Sequence, residues 1–356
     1  MEYLKVCVGI DVAQAELVCS FGALDSTLKQ HTLSRGTFEN HPKGFNVLVK
    51  WVKSIHTGEA GVVFVMEATG VYHQKLAHWL FQKSHPVVIV LPNRISNFMR
   101  GNNVKTITDT TAADAICQFG LEKQLDFWAP ADPIYTQLQH LTRERDQMIN
   151  ERTMLKNQLH AHQSAAFVNA STVKRLKQRI RLLDKQQTDI NRELHQLINS
   201  NATLKEQVNL ITSIPGIGEQ TAAVILGETN GFELIRNKRQ LTSYAGLDVQ
   251  VKESGKSVKT KTRISKRGNK YLRKAMYFPA FTAIKHNEQY KTSYARLVAK
   301  SGIRMKAAVS IQRKLLELSY IIHKTKRPFD PLYHTMKELP TSGVSAPSES
   351  GLCRFN

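Results

Sequence analysis

The chain has 356 residues, with 50 Lys and Arg against 29 Asp and Glu and a formal net charge of +21. At roughly 100–200 residues per domain, this length predicts about two or three domains. Hydrophobic residues make up 41% of the chain, which excludes wholesale disorder. Because no stretch approaches the ~18–20 uninterrupted apolar residues of a membrane helix, the sequence excludes a membrane-spanning protein and predicts no membrane partner.

Cysteine usage and the N-terminal residues indicate the compartment. The cysteines Cys7, Cys19, Cys117 and Cys353 are too scattered for a disulfide framework, and no Cys or His pair has zinc-ligand spacing. The first residues are typical of a strand and lack the features of a secretory signal. A reducing, cytoplasmic compartment is therefore expected.

Charge is distributed very unevenly along the chain. Residues 1–130 contain 12 basic and 11 acidic residues, which leaves 38 basic and 18 acidic residues, a net charge of +20, in residues 131–356. A cationic surface of that size implies a polyanionic partner that releases counterions when its phosphates are neutralised. Nucleic acid is favoured over an acidic membrane, because no basic amphipathic helix with aromatic anchors is present.

Residues 1–130 alternate strand and helix patterns, with antiparallel strands first. This order predicts an α/β domain of the ribonuclease-H kind. No GxGxxG motif follows the first strand, so a dinucleotide-binding fold is not expected. The predicted strands are Lys5–Val12, Glu16–Gly22, Lys29–Leu33, Gly61–Met66 and Pro86–Leu91, and the predicted helices are Thr37–Ser54, His73–Lys83 and Thr110–Leu121.

Residues 131–205 carry two heptad seams after the prolines Pro130 and Pro133. Apolar residues recur at alternating spacings of four and three, which predicts an antiparallel helical hairpin or a coiled coil with another subunit. The polar seam residues Arg145, Arg152 and Gln187 favour self-association with a fixed register. A plain helical spacer is the alternative.

Residues 206–336 form the third predicted segment, and residues 337–356 are a predicted disordered tail. Two apolar helices flank a Pro-Gly-Ile-Gly turn within Leu210–Glu228, the pattern of a helix-hairpin-helix whose backbone amides hold a phosphate, although such a hairpin can also be purely structural. The segment Val251–Lys274 then contains ten basic residues and one acid, and a helix is predicted around Ile303–His323. The candidate nucleic-acid contacts are Gly216, Gly218, Lys256, Lys259, Lys261, Arg263, Lys266, Arg267, Lys270 and Arg273.

Four carboxylates lie where strands end or a helix begins. Asp11 lies within the strand sequence GIDVA, Glu67 ends the strand VFVME, and Asp109 and Asp114 lie in TDTTAADA. Carboxylates from two strand ends and a helix start can meet at one edge of a sheet, and such hard oxygen ligands suit two Mg²⁺ or Mn²⁺ ions. The alternative is that Asp109 is a helix cap and Asp114 a surface residue.

These motifs together resemble the DEDD-type transposases of the insertion-sequence one-ten family, in particular its eleven-eleven subgroup, and the related Piv-type DNA invertases. The resemblance runs from GIDVA and MEATG through IPGIG and YAGL to SGKS and ISKRGNKYLRKA. It implies a RuvC-like N-terminal domain, a coiled-coil linker and a C-terminal transposase domain. It places the metal-binding and catalytic carboxylates on Asp11, Glu67, Asp109 and Asp114. The family has its last two aspartates three positions apart, whereas here Thr111 occupies that spacing.

The resemblance also implies a serine nucleophile at Ser254, with Ser257 and Ser265 as nearby competitors. It further implies DNA strand exchange through a covalent phosphoserine, a non-coding bridge RNA that pairs with donor and target DNA, and a dimer or a tetramer of two dimers. A bacterial, nucleoid-associated enzyme is the corresponding expectation. Two other functions remain open: a RuvC-like junction resolvase that hydrolyses DNA with water, and a non-catalytic nucleic-acid-binding protein.

Overall fold

The chain divides into two compact units, Met1–Pro130 and Ala131–Asn356. The computed structural model describes residues 3–56, 58, 61–68, 70–233, 235–251, 253–254, 258–259 and 262–331, with only the backbone described at 253, 254, 258 and 259. No helix in these residues combines the length and the apolar character that crossing a membrane requires.

The first unit is a five-stranded mixed sheet with helices. The strand order is β3-β2-β1-β4-β5, in which β1 runs antiparallel to β2 and parallel to β4, and β4 runs parallel to β5. The predicted α/β architecture is confirmed. In chain order the elements are β1 Tyr3–Val12, β2 Glu16–Asp25, β3 Gln30–Glu39, α1 Pro42–Ile55, β4 Val62–Glu67, α2 His73–Gln82, β5 Val87–Val90, α3 Pro92–Gly101 and α4 Asp109–Glu122.

The central strand β1 is buried on both faces, which explains its continuous apolar sequence. Val8 and Ile10 pack on one side in a cluster with Phe45 of α1. Cys7 packs on the other side with Ile116 of α4. Because neighbouring residues of a strand point to opposite faces, a helix layer covers each side of the sheet.

Helix α4 lies directly on the backbone of β1 at Gly9. A Cβ atom at Gly9 would lie 2.2 Å from the backbone nitrogen of Cys117 and 2.5 Å from the carbonyl oxygen of Ala113. Only glycine permits this approach, because any larger residue would push the helix away from the sheet. This contact sets the position of α4 along β1. The start of the helix therefore lies towards the carboxyl end of the strand.

Two predicted elements in this unit differ most from the structure. The predicted strand Lys29–Leu33 is longer, because pairing with β2 continues until Glu16 lies opposite Glu39. The predicted helix Thr37–Ser54 consequently begins only at Pro42, after the His41 side chain caps it. Helix α3 was not predicted, although a proline at its first position marks its start.

The second unit is mainly helical. Two short antiparallel pairs, β6 with β9 and β7 with β8, interrupt the helices. In chain order the elements are α5 Pro133–Gln163, α6 Ala170–Ser200, α7 Ala202–Thr212, α8 Glu219–Thr229, α9 Lys238–Tyr244, β6 Val249–Gln250, β7 Glu253–Ser254, β8 Val258–Lys259, β9 Arg263–Ile264, α10 Lys270–Ala275, α11 Tyr277–His286, α12 Glu288–Ser301 and α13 Arg304–Thr325.

Helices α5 and α6 form an antiparallel hairpin. Its tip has a small apolar cluster of its own, in which Leu155 packs with Ile180, whereas Leu138 at its base joins the main core of the unit. Two polar seam residues find partners inside the hairpin: Arg145 Nε donates to Asn191 Oδ1 at 2.8 Å, and Arg152 pairs with Asp184. The hairpin alone therefore supplies a partner for each of these two side chains, and pairing with a second subunit stays a prediction.

Candidate catalytic and nucleic-acid-binding sites

Asp11 and Glu67 occupy adjacent positions at the carboxyl ends of two parallel strands. Ile10 of β1 pairs with Met66 of β4, so the next residue of each strand is one of these carboxylates. Both side chains are half-buried. Since neighbouring residues in register on parallel strands share a face, Asp11 and Glu67 lie on the face covered by α4.

Asp109 is the first residue of α4 and approaches Asp11. Burial raises the pKa of Asp11, and the negative charge of Asp109 raises it further, against a smaller opposing effect of the backbone N–H of Val12. The helix start itself is capped by Thr108, whose hydroxyl accepts from the backbone N–H of Thr111 at 3.2 Å. Thr111, at the spacing expected for a family aspartate, therefore serves the cap.

Asp114 has a different environment, on the side of α4 that faces strands β2 and β3. Arg35 of β3 donates from Nε to Oδ1 at 2.9 Å and from Nη2 to Oδ2 at 3.0 Å. The Ser20 hydroxyl of β2 donates to Oδ1 at 2.7 Å. This bidentate pair raises the pKa of Arg35. The structure thus brings Asp11, Glu67 and Asp109 to one sheet edge and engages Asp114 with β2 and β3.

These three carboxylates fit a hard divalent cation as a partial ligand set. Within the described residues, no three His, Cys, Asp or Glu side chains are already arranged around one metal position. Mg²⁺ usually binds through one or two carboxylates, retained waters and substrate phosphates, so a complete protein cage is not required. The repulsion between Asp11 and Asp109 is the kind that a cation relieves.

The predicted nucleophile lies on a short two-stranded ribbon in the second unit. Ser254 of β7 pairs with Val258 of β8. Lys256, Ser257 and Lys261 lie outside the described residues, and Lys259 is described only as backbone in β8. The competitor Ser265 is engaged, because its hydroxyl donates to Asp248 Oδ1 at 2.5 Å.

The predicted basic contacts differ in their accessibility. Arg263, Lys266, Arg267 and Lys270 are exposed. Arg273 is half-buried, and its Nη1 donates to the carbonyl of Ala245 at 2.8 Å. Four of these cations are therefore available to a ligand, whereas Arg273 supports the local backbone.

The two glycines of the predicted phosphate-binding turn also differ. Gly216 has φ +91°, and a Cβ there would lie 2.5 Å from the carbonyl oxygen of Pro279 in α11. Gly218 lies before α8, with open space where a Cβ would be. The first residue of α8, Glu219, pairs with His195 at 3.1 Å. Helices α7 and α8 lie on either side of this turn. A helix-hairpin-helix that contacts phosphate stays a prediction.

An ion pair between a buried glutamate and a partly exposed arginine, which no spacing in the sequence predicts, supports the basic segment. The Glu228 side chain in α8 is 0% exposed and accepts from Arg143 Nε at 2.7 Å and Nη2 at 2.8 Å. Asn269, which caps α10, donates to the same carboxylate at 2.6 Å. The only sequence signal was an acid within the apolar run AAVILGE. The pair joins the hairpin helix α5 to the start of the basic helix α10.

Comparison with known proteins agrees with the motifs. An IS110-type DEDD model described as a transposase matches residues 8–168, and a model of the transposase IS116/IS110/IS902 family matches residues 208–295. The chain is similar to the pilin gene-inverting proteins of Moraxella lacunata and Moraxella bovis. Each is 28% identical, with 93% of this chain and 99% of the relative covered. A structure of Thermus thermophilus RuvC covers 35% of this chain and 99% of its own, at 14% identity and a TM-score of 0.28.

The two family models together extend over both units, so the protein is a DNA transposase, an enzyme of DNA recombination. It belongs to the IS110 family, the insertion-sequence one-ten family whose motifs its sequence carries. The predicted family and enzyme class are confirmed.

Proposed function

We propose that the protein cuts and rejoins DNA by transesterification, using the carboxylates of the first unit and Ser254 of the second. The observation that carries this proposal is the approach of Asp109 to Asp11 beside Glu67, at the carboxyl ends of parallel strands. Carboxylates forced together in this way are typical of sites that handle a divalent cation and a phosphate.

Asp11, Glu67 and Asp109 would hold Mg²⁺ or Mn²⁺, with two ions expected. When bound, such ions polarise the scissile phosphate and stabilise the leaving oxygen. Asp114 would join the set only after release from Arg35 and Ser20, whose hydrogen bonds otherwise occupy both of its oxygens.

Ser254 would act as the nucleophile. Its hydroxyl oxygen forms a bond to the scissile phosphorus as one P–O bond of the DNA phosphodiester breaks. The proton lost by the serine is taken up by the departing DNA oxygen, which becomes a free hydroxyl. One ester replaces another, so the bond energy is retained for rejoining. The pilin gene-inverting relatives, which cover 93% of this chain, are named for a DNA inversion, a rearrangement that requires such rejoining.

Partners follow from the charge of the second unit and from the family. The exposed cations Arg263, Lys266, Arg267 and Lys270 would hold phosphate backbones. A non-coding bridge RNA would supply sequence reading by base pairing with donor and target DNA, which leaves the protein to recognise shape and backbone. A homo-oligomer, a dimer or a tetramer of two dimers, would assemble the DNA ends.

The test is a covalent complex. Wild-type protein incubated with its DNA and Mg²⁺ should form a protein–DNA species that resists denaturant, and Ser254→Ala should lose that species and strand exchange while retaining DNA binding. Ser257→Ala is the matched control. Cleavage by Ser254→Ala that leaves free DNA ends would support the hydrolytic resolvase, and the absence of any metal-dependent cleavage would support a non-catalytic role.

A further inference from the structure

The second unit contains a groove of about 1250 Å³ whose apolar lining the proposed mechanism does not use. Strands β6 and β9 and helices α10 to α13 contribute its walls. These two strands flank the β7–β8 ribbon in the chain, so the groove begins next in sequence to the proposed nucleophile.

The floor of the groove is apolar and partly open to solvent. Phe278 is 75% exposed, Val249 56% and Ile303 55%. The ring of Phe278 meets that of Tyr277 edge-on, with centroids 5.2 Å apart. Single exposed apolar residues are common on protein surfaces and need no explanation. Several that line one groove together indicate a binding surface.

The rim of the groove is strongly cationic. Eight of the described lining residues are Lys or Arg, and no described lining residue is Asp or Glu. Three of the eight are engaged elsewhere: Arg313 pairs with Glu317, Lys274 pairs with Asp146, and Arg273 donates to backbone carbonyls. A cationic rim around an aromatic floor selects a ligand that carries both repeated negative charges and flat apolar faces.

We propose that this groove binds unpaired DNA nucleotides, with bases stacked on Phe278 and Tyr277 and phosphates held by the Lys and Arg rim. A duplex presents its phosphates but keeps its base faces inside the stack, so it would leave the apolar floor uncovered. Stacking on aromatic side chains with a basic groove is the usual way that proteins hold single strands. The choice of DNA rests on the proposed function, since strand exchange exposes unpaired DNA.

Binding by the full-length protein tests the site. Fluorescence anisotropy with a labelled oligodeoxythymidine of about 15 nucleotides should show Phe278→Ala weakening single-strand binding about tenfold, the loss expected for one stacked base. Binding of a duplex of equal length should change less than about twofold. The control is Phe167→Ala, which removes an aromatic ring that is 96% exposed at the tip of the α5–α6 hairpin.

A second pair of variants tests the rim without touching the floor. Lys306→Gln should flatten the salt dependence of single-strand binding by about 0.7 in log–log slope, the value for one phosphate contact. Lys314→Gln, on the same helix but outside the groove, should leave the slope unchanged.

All binding is measured in EDTA, so a failure of the cleavage chemistry would not affect it. An unchanged affinity in Phe278→Ala, or an equal loss for duplex and single strand, would overturn the proposal. Binding of oligouridine RNA at least tenfold tighter than DNA would overturn DNA as the occupant. Equal melting temperatures of the variants and the wild type would exclude misfolding as the cause of any loss.

Discussion

Asp109 and Asp114 lie on the same helix, but their different neighbours indicate different roles. Asp109 starts α4 and raises the pKa of Asp11 through its charge, whereas Asp114 is paired with Arg35 and Ser20. A carboxylate that repels a neighbouring carboxylate, as Asp109 repels Asp11, is suited to sharing a cation with it. A carboxylate with two charge-assisted hydrogen bonds is suited to holding strands and helix together.

Replacing each aspartate separately tests this division. Asp109→Asn should abolish Mg²⁺-dependent cleavage and change the free energy of unfolding by less than about 0.5 kcal/mol, because it removes a repulsion near the surface. Asp114→Asn should lower that free energy by about 1 kcal/mol, because it weakens a half-exposed bidentate pair. Urea titration and a cleavage assay measure the two effects.

Arg35→Gln is the matched control on the other side of the pair and should reproduce the stability loss of Asp114→Asn. If Asp114→Asn instead loses all cleavage at unchanged stability, Asp114 belongs to the metal-binding set and releases Arg35 in the active state.

At the scale of elements, the two glycines of the Pro-Gly-Ile-Gly turn differ in backbone conformation and in the space around them. Gly216 combines a left-handed φ of +91° with close contact to the backbone of α11. Gly218 has φ −96° and open space around its Cβ position. The first glycine fixes how α7, α8 and α11 pack, and the second leaves room in front of α8.

Alanine at each position separates packing from ligand contact. Gly216→Ala should lower the free energy of unfolding by about 2 kcal/mol or more, because it adds backbone strain to a clash with Pro279. Gly218→Ala should lower it by no more than about 1 kcal/mol, because Gly218 is the N-cap of α8 and alanine is a poorer cap residue than glycine. Differential scanning calorimetry measures both. Equal melting temperatures for the two variants would contradict the packing role of Gly216.

Elements were predictable from sequence where their pattern is local. The apolar run of β1 and the termini of β4 placed Asp11 and Glu67 at strand ends, and the structure puts them in neighbouring register. The contact of Arg35 with Asp114 joins residues 79 positions apart, and no spacing in the sequence encodes it. The same holds for Glu228 and Arg143, 85 positions apart.

The groove around Phe278 was also missed, for a related reason. Its aromatic residues follow the basic segment in the sequence YFPAF and are typical of a helix packed in a core. Only the arrangement of α10 to α13 leaves Phe278 exposed. Local pattern therefore predicts the elements, whereas which faces stay uncovered depends on packing between distant segments.

For the whole molecule, the two units on either side of residue 130 have separate hydrophobic cores. The first unit buries its own clusters on both faces of the sheet, and the second buries a large cluster that extends from α5 to α13. A chain segment with its own buried core is expected to fold alone.

Residues 1–130 produced alone should therefore unfold cooperatively on heating and give a dispersed NMR spectrum. This fragment should bind duplex DNA with little salt dependence, because its net charge is close to zero. Residues 131–356 should bind with a steep salt dependence, which titration at several ionic strengths measures. A first fragment that is unfolded when isolated would show that its core depends on the rest of the chain.

The unequal charge of the two units has a kinetic consequence. A nearly neutral unit gains little from the field of DNA and would, if free, meet a phosphodiester only at its bulk concentration. Covalent connection to a cationic unit already bound to DNA makes that encounter intramolecular, at an effective concentration that short tethers raise to about the millimolar range. The effective concentration would then set how often the carboxylates of the first unit meet DNA, and the residence time of the second unit would set how long these encounters continue.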